Sequence, residues 1–273
     1  MKQALRLGLI SVFLLAVALA ARFLLQTKTD APTPGNTAST CVRLRSELER
    51  LSCSGTIAYD WGQLSYYRDD DARLTQQPVK PSLSRVVFLG DSITYGWPGL
   101  RGDGKFKGVD VINRGVTSQL TAQMLLRFRQ DVIEIHPQVV VILGGSNDLE
   151  FLIPPAVPVV ESNVASMAQL ARANGIRTIL ASVPPVSDYE LDVGGQPALR
   201  TRTHPPERIR EINDWMRDFA QKNGCMYLDY YSSLVDDKGF FKKGFSVDGL
   251  HPNDRSYALM EKLVAEAIRT ALR

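Results

Sequence analysis

The sequence predicts an α/β protein built around a parallel sheet. From Arg85 onward, short apolar runs rich in β-branched residues alternate with amphipathic segments of helical length, which is typical of βαβ units. Polar clusters follow the first three of these runs. Because βαβ crossovers are right-handed, the carboxyl ends of the strands share one edge, and ligands of open α/β sheets bind at that edge. A functional site is therefore expected there.

The individual elements follow from the hydrophobic period. Short continuous apolar runs predict buried strands, and apolar residues three and four apart predict helices that bury one face. The predicted strands are Val86–Leu89, Val109–Ile112, Val139–Leu143, Thr178–Ala181 and Met226–Asp229. The predicted helices are Thr121–Ile135, Val160–Ala173, Pro206–Lys222 and Asp254–Leu272, with a shorter one after the N-cap candidate Asp60.

The first polar cluster, Gly90–Thr94, places a serine directly after the first strand. A serine hydroxyl is a weak nucleophile until an imidazole takes its proton, and the imidazole needs a carboxylate to fix its tautomer. Ser92, His251 and Asp248 can fill these three roles. Asp248 and His251 are separated only by Gly-Leu, so one turn can bring both side chains to the same side. The pattern therefore predicts a serine hydrolase.

An oxyanion formed on the substrate needs hydrogen-bond donors. The backbone N–H of Ser92, the backbone N–H of Gly115 and the side-chain amide of Asn147 are the candidates, since each follows the end of a predicted strand. Trp97, just past the nucleophile, is a possible wall of the substrate pocket, with core packing as the alternative.

Taken together, these blocks resemble the SGNH hydrolase superfamily, also called the GDSL esterase/lipase family. The matching blocks are Gly90-Asp91-Ser92, Asn113-Arg114-Gly115, Gly145-Ser146-Asn147-Asp148 and Asp248-Gly249-Leu250-His251. The resemblance implies a flavodoxin-like three-layer α/β/α sandwich with about five parallel strands. It also implies ester hydrolysis through an acyl-enzyme without metal or cofactor. The implied roles are Ser92 as nucleophile, His251 as base with Asp248, and Ser92, Gly115 and Asn147 as the oxyanion hole.

A classical α/β-hydrolase fits less well. Its nucleophile elbow is Gly-x-Ser-x-Gly, and the second glycine is missing after Ser92, where Thr94 stands instead.

The N-terminus predicts export. Lys2 and Arg6 precede the apolar run Leu7–Ala21, which is typical of a signal peptide, although an uncleaved membrane anchor stays open. The protein is then expected to be periplasmic or secreted, or tethered to the membrane. The predicted organisation is a signal peptide or anchor over 1–25, a flexible tether over 26–40, a helical extension over 41–80 and the hydrolase domain over 81–273.

Several other features receive structural interpretations. A Cys41–Cys53 disulfide is conceivable only if the helical pattern between them is broken, because twelve residues of straight helix would separate them by about 18 Å. Asp69–Asp71 is expected to be a solvated helix end, and His204 is expected in a surface loop, with a place at the substrate entrance as the alternative. The net charge of +3 is small and unclustered, which gives no support to nucleic-acid binding.

The sequence therefore predicts an exported serine esterase that takes a small-molecule ester, with short acyl groups such as acetyl esters of carbohydrates favoured because no long hydrophobic lid is evident. A lysophospholipase or lipase-type acylhydrolase is the nearest alternative. An O-acyltransferase and a non-catalytic envelope-binding protein on the same fold are alternatives of other classes. Acyl length, alcohol and oligomeric state stay open.

Overall fold

The computed structural model describes residues 60–77, 79–80, 82–101, 106–151, 156–191 and 195–273. Asp60–Arg273 forms one compact unit. The predicted leader, tether and Cys41–Cys53 pair lie outside the described residues. Within the described ranges, no helix is both long and apolar enough to cross a membrane.

Five parallel strands form the central sheet, in the order β2-β1-β3-β4-β5. Their bounds are β1 Ser84–Gly90, β2 Val109–Gly115, β3 Val139–Leu143, β4 Arg177–Ala181 and β5 Met226–Leu228. Each contains one of the strands predicted from the sequence or nearly coincides with it. The apolar runs read as continuous, not alternating, because both faces of the sheet are covered.

Helices cover both faces of the sheet. They are α1 Arg68–Gln76, α2 Ser92–Tyr95, α3 Thr121–Phe128, α4 Ser146–Phe151, α5 Ala156–Ala173, α6 Pro206–Asn223, α7 Tyr231–Leu234 and α8 Asp254–Ala271. Val87 and Leu89 of β1 pack in a core cluster with residues of α3, α5 and α6. Val86 and Phe88 of the same strand point to the other face, into a cluster with residues of α8. The expected three-layer sandwich is confirmed.

Two boundaries differ from the prediction in ways that affect the site. Both β1 and β2 continue to the glycines of their polar blocks, so that Gly90 and Gly115 are paired at the sheet edge. The helix expected over Thr121–Ile135 is α-helical only to Phe128 and continues as a π-helical turn over Arg129–Ile133. The extra residue in that turn changes the direction in which the following side chains point.

The segment before β1 was predicted incorrectly in its details. Asp60 does not cap a helix that holds Trp61, Leu64 and Tyr67; its carboxylate accepts the Leu64 N–H at 2.7 Å and stabilises a series of turns, and α1 begins only at Arg68. The expected solvated Asp69–Asp71 is likewise wrong for Asp71, which is buried.

Arg114 explains the burial of Asp71. Its guanidinium donates to Asp71 from Nε at 3.0 Å and from Nη2 at 2.5 Å, and to Asp70 at 2.9 Å. Tyr67 reaches the same place, donating from its hydroxyl to the Gly115 carbonyl at 2.5 Å. The described part of the predicted extension is therefore packed against the end of β2, and the boundary expected at residue 81 does not separate two compact units.

His204 is a second correction, because its side chain is 0% exposed instead of lying on a surface loop. Its Nδ1 lies 2.9 Å from the Thr203 hydroxyl, and its Nε2 lies 3.8 Å from a Glu150 carboxylate oxygen. Burial lowers the pKa of His204 to about 4, and the positive charge of Arg200 acts in the same direction. His204 is therefore neutral in the folded protein at ordinary pH.

We predict that His204 makes the folded state less stable in mild acid. In the unfolded chain His204 is protonated below about pH 6.5, whereas in the folded protein it is protonated only below about pH 4. The folded state therefore loses stability as the pH falls from about 6.5 to about 4. Between pH 7.5 and pH 5 this costs about 2 kcal/mol. The free energy of unfolding of His204→Gln, measured by urea denaturation, should fall less than that of the wild type over the same range. Parallel pH curves for the two proteins would contradict the assignment.

Candidate active site

The structure brings Ser92, His251 and Asp248 together at the carboxyl edge of the sheet. Ser92 is the first residue of α2, directly after β1, and its Oγ lies 2.9 Å from His251 Nε2. His251 Nδ1 lies 2.8 Å from Asp248 Oδ2. The hydroxyl, imidazole and carboxylate thus form a continuous hydrogen-bonded chain, as proton transfer from a serine nucleophile requires.

A tight turn places Asp248 and His251 on the same side. Asp248 Oδ1 accepts the backbone N–H groups of Leu250 at 3.0 Å and His251 at 2.8 Å, while Oδ2 remains for the imidazole. Gly249 adopts a φ of 86°, and a Cβ there would collide with the Ser187 carbonyl. Asn253 then caps α8 by accepting from Ser256 N–H at 3.2 Å, so the turn is anchored on a long helix.

The electrostatics of the pair favour the charged carboxylate. Burial opposes ionisation of Asp248, but hydrogen bonds from the His251 side chain and backbone outweigh burial and hold the pKa of Asp248 below its ordinary value. The hydrogen bond to Asp248 raises the pKa of His251, against the opposing effect of burial. Arg200 also contacts Asp248, from Nη2 to Oδ2 at 3.3 Å and from Nε to the backbone carbonyl at 3.1 Å.

Two of the expected oxyanion donors are available in this arrangement. The Ser92 N–H belongs to the first residue of α2, where a helix offers no acceptor of its own. Asn147 is buried, and its amide nitrogen donates one hydrogen to the Gln119 carbonyl at 3.0 Å, which leaves the second hydrogen for a substrate oxygen.

The Gly115 N–H is already engaged, because it donates to Asn113 Oδ1 at 2.8 Å. A substrate oxygen would be a second acceptor for this hydrogen. The same Asn113 amide donates to the Thr94 carbonyl of α2 at 2.9 Å. Gly115 also has a packing role that the sequence did not indicate, since a Cβ would collide with the backbone of Thr94 and Tyr95. The glycine therefore lets β2 approach the helix that carries the nucleophile.

Trp97 is not a wall of the substrate pocket. Its side chain is only 1% exposed and packs against the rings of Phe88, Tyr230 and Tyr257. The sequence prediction of a pocket residue is wrong here, and the alternative of core packing is correct. The indole is large and apolar, and the space between α2 and α8 buries it more completely than an open sheet edge could.

Two carboxylates next to the site serve the backbone. Asp91 caps α2 by accepting from the Ile93 N–H at 2.9 Å, and burial raises its pKa to about 6. Asp148 accepts from both the N–H and the hydroxyl of Thr121, at 3.0 and 2.6 Å, and so joins α4 to the start of α3. Both therefore fix the helices that carry Ser92 and Asn147.

Comparison with known proteins agrees with this geometry. The model of the GDSL-like lipase/acylhydrolase family matches residues 88–259, from β1 into α8. The chain belongs to this family. It is therefore an ester hydrolase of the esterase/lipase type. No match was found among curated proteins.

Solved structures show the same relationship. A GDSL-like lipase from Bacteroides thetaiotaomicron VPI-5482 is 36% identical, with a TM-score of 0.67 over 78% of this chain and 100% of that one. A candidate acylhydrolase from Bacteroides fragilis NCTC 9343 is 35% identical, with a TM-score of 0.67 over 78% of this chain and 99% of that one. An acetyl xylan esterase is 20% identical, with a TM-score of 0.54 over 67% of this chain and 98% of that one, and shares the fold.

Sequence reasoning missed several residues that hold this GDSL-type site in place. Arg127, Gln119 and Tyr67 all contact the loops that carry the predicted oxyanion donors. Arg127 could have been noticed, because it lies three residues after Met124 on the apolar face of a predicted helix, where a charge is unexpected.

We predict that Asp248→Asn shifts the pH dependence of ester hydrolysis as well as its rate. His251 accepts a proton only when neutral, so its raised pKa sets the acid limb of kcat/KM. Removing the carboxylate charge lowers that pKa, so the limb should move to lower pH while kcat falls about 100-fold or more. A pH–rate profile of both proteins checks this. An unchanged acid limb would mean that Asp248 does not control the base.

Proposed function

We propose that the protein is an exported serine esterase that hydrolyses short-chain carboxylic esters through an acyl-Ser92 intermediate. The observation that carries the proposal is the 2.9 Å contact of Ser92 Oγ with an imidazole that Asp248 holds at 2.8 Å. The export part rests on Lys2, Arg6 and the apolar run Leu7–Ala21.

The reaction follows from these contacts. His251 Nε2 takes the proton as Ser92 Oγ forms a bond to the ester carbon, and the carbonyl oxygen becomes an oxyanion held by the Ser92 N–H, Gly115 N–H and Asn147 amide. The imidazolium gives the proton to the departing alcohol as the ester C–O bond breaks. Water, deprotonated by His251, then attacks the acyl-serine, and release of the acid restores the hydroxyl.

A pocket lined by residues of α4, of α5 and of the segment 202–211 supports a polar alcohol group. Its volume is about 480 Å³, and it is lined both by apolar residues and by Glu150, Arg202, Arg208 and Glu211. Glu150 lies one turn after Asn147 on α4. Burial raises the pKa of Glu150, and the charges of Arg200 and His251 oppose this rise. A long acyl chain would leave these charges poorly solvated.

Aromatic rings next to the nucleophile support a ring-shaped alcohol, such as a sugar. Tyr95 lies three residues after Ser92 on α2, is 46% exposed and contacts Tyr66 edge-on at 6.5 Å between ring centroids. Side chains three apart on a helix lie on the same side. Exposed aromatic rings offer apolar faces with polar hydroxyls, a combination that suits the mixed surface of a sugar.

A lysophospholipase is a second candidate, and a different observation favours it. Trp61, Leu64 and Leu126 are 44%, 38% and 54% exposed, and Leu64 and Leu126 both lie against Gly62. This exposed apolar group could rest on a lipid aggregate. The two candidates therefore place the substrate on different side chains.

We predict that hydrolysis of p-nitrophenyl esters from acetate to palmitate falls steeply with chain length, and that Ser92→Ala abolishes it. The small acyl space expected at an open, charged edge cannot desolvate a long chain. Labelling with a fluorophosphonate should occur in the wild type and be absent in the mutant, which also tests the non-catalytic alternative.

Other outcomes would redirect the proposal. A preference for long chains supports the lysophospholipase, and diversion of the acyl group to an added sugar alcohol supports an acyltransferase. Equal activity in Ser92→Ala would remove Ser92 as the nucleophile.

We also predict that Tyr95→Ala raises KM for an O-acetylated xylose by severalfold, with KM for ethyl acetate unchanged, because only the sugar covers the ring. Leu126→Ser is the control, being similarly exposed but in the apolar group. Steady-state kinetics on both esters checks this. If Leu126→Ser instead impairs hydrolysis of micellar lysophospholipid and Tyr95→Ala leaves the sugar ester unaffected, the sugar assignment is wrong.

A further inference from the structure

Arg127 is a buried arginine that contacts the segments of two predicted oxyanion donors, Ser92 and Gly115, directly and the segment of Asn147 through Gln119. Its side chain is 0% exposed, and its partner one turn later, Asp131, is 1% exposed. Arg127 Nη1 donates to Asp131 Oδ2 at 2.7 Å. The remaining donors reach Gln119 Oε1 at 2.5 Å, the Gly90 carbonyl at 3.0 Å and the Arg114 carbonyl at 2.8 Å.

The contact with the Arg114 carbonyl acts directly on Gly115. The Arg114 C=O and the Gly115 N–H are the two ends of one planar peptide unit. Arg127 holds the carbonyl end, and Asn113 Oδ1 accepts from the N–H end at 2.8 Å, so the plane is held at both ends. A hydrogen bond to a carbonyl also polarises its peptide unit and strengthens the N–H as a donor.

The contacts of Arg127 with the Gly90 carbonyl and with Gln119 fix the segments of the other two donors in the same way. The Gly90 carbonyl lies at the end of β1, two residues before Ser92, so Arg127 limits how the nucleophile loop leaves the strand. Gln119 carries the backbone carbonyl that accepts from the Asn147 amide at 3.0 Å, and its side chain is held by Arg127 Nε. A single guanidinium therefore connects the Ser92, Gly115 and Asn147 segments.

Only the planar guanidinium of an arginine can make this set of contacts. Four acceptors lie in different directions around one planar fork, and a lysine ammonium on a flexible stem offers only three donors from one point. Burying such a charge is costly unless every donor is used and a carboxylate is near, and Asp131 supplies that charge.

We propose that Arg127 is a positioning residue of the oxyanion hole, holding the Arg114–Gly115 peptide and the Ser92 and Asn147 segments in the orientation that the developing negative charge requires. The inference rests on the proposed serine-esterase mechanism. It assigns a catalytic consequence to a residue that does not touch the substrate.

The alternative is that Arg127 only stabilises the fold, and Arg85 provides the matched control. Arg85 is also buried, donates to Asp110 at 2.8 Å and to the Ile135 carbonyl at 2.9 Å, but lies at the opposite end of β1. Both Arg127→Lys and Arg85→Lys disturb the ion pair of a buried arginine and its contact with a backbone carbonyl. Only the first disturbs the catalytic edge.

The experiment compares the two variants in thermal stability, kcat and KM for p-nitrophenyl acetate, and inhibition by a trifluoromethyl ketone and its non-electrophilic ketone analogue. Arg127→Lys should lower kcat at least about tenfold with little change in KM, and should weaken the trifluoromethyl ketone by a similar factor but not its analogue. Arg85→Lys should lose stability with kcat within about twofold of the wild type. Loss of kcat in equal measure in both variants, or in neither, would overturn the proposal.

A pair replacement keeps the test decisive if Arg127→Lys does not fold. Arg127→Met combined with Asp131→Leu removes both charges together, which leaves no unpaired ion in the core. A folded double variant should show the same fall in kcat, and wild-type kcat would overturn the proposal. Ser92→Ala separates failure of the proposed mechanism from failure of the positioning role. If Ser92→Ala stays active, the serine mechanism is wrong. If Ser92→Ala is inactive but the Arg127 variants keep the kcat of the wild type, only the positioning role is rejected.

Discussion

The catalytic edge depends on how the polar backbone groups at the ends of β1 and β2 are satisfied inside an apolar interior. Strand pairing stops at Gly90 and Gly115, yet both glycines are still buried. A buried carbonyl or N–H without a partner costs free energy comparable to a lost hydrogen bond. The side chains of Arg127, Asn113 and Tyr67 supply these partners, so the same contacts that make the edge foldable also fix the groups that surround the nucleophile.

The pKa values of Asp91 and Asp248 are shifted in opposite directions because the two carboxylates differ in burial and in hydrogen bonding. Asp91 is fully enclosed, and burial raises its pKa to about 6 although it caps α2. Asp248 is only half-buried and accepts from two backbone N–H groups as well as the imidazole, which keeps its pKa low despite some desolvation. The charged form of Asp248 is therefore the one that faces His251. Asp91, one residue from the nucleophile, is a structural cap.

The parallel sheet and the order of its polar blocks could be predicted from the sequence because both are local patterns. An apolar run of the right length predicted the bounds of β3 without error, and the first two polar blocks lie at or directly after the carboxyl ends of β1 and β2. Trp97, His204 and Asp71 could not be placed in the same way, because their burial depends on partners distant in the chain. Asp71 is buried by Arg114, 43 residues away, and no spacing rule connects the two. Side-chain direction and long-range pairing are decided by packing, which a single sequence does not display.

The distance between nucleophile and base is set by a contact across nearly the whole domain. Ser92 and His251 are 159 residues apart in the chain, and Ser92 Oγ lies 2.9 Å from His251 Nε2. The helix α8 that follows His251 is fixed against α2. Tyr257 of α8 donates from its hydroxyl to the Ile93 carbonyl at 2.8 Å, and Trp97 packs between the two elements. An indole enclosed on all sides resists compression, because protein interiors are close-packed. Trp97 is thus absent from the substrate surface but contributes to the site by keeping the two halves of the triad at reacting distance.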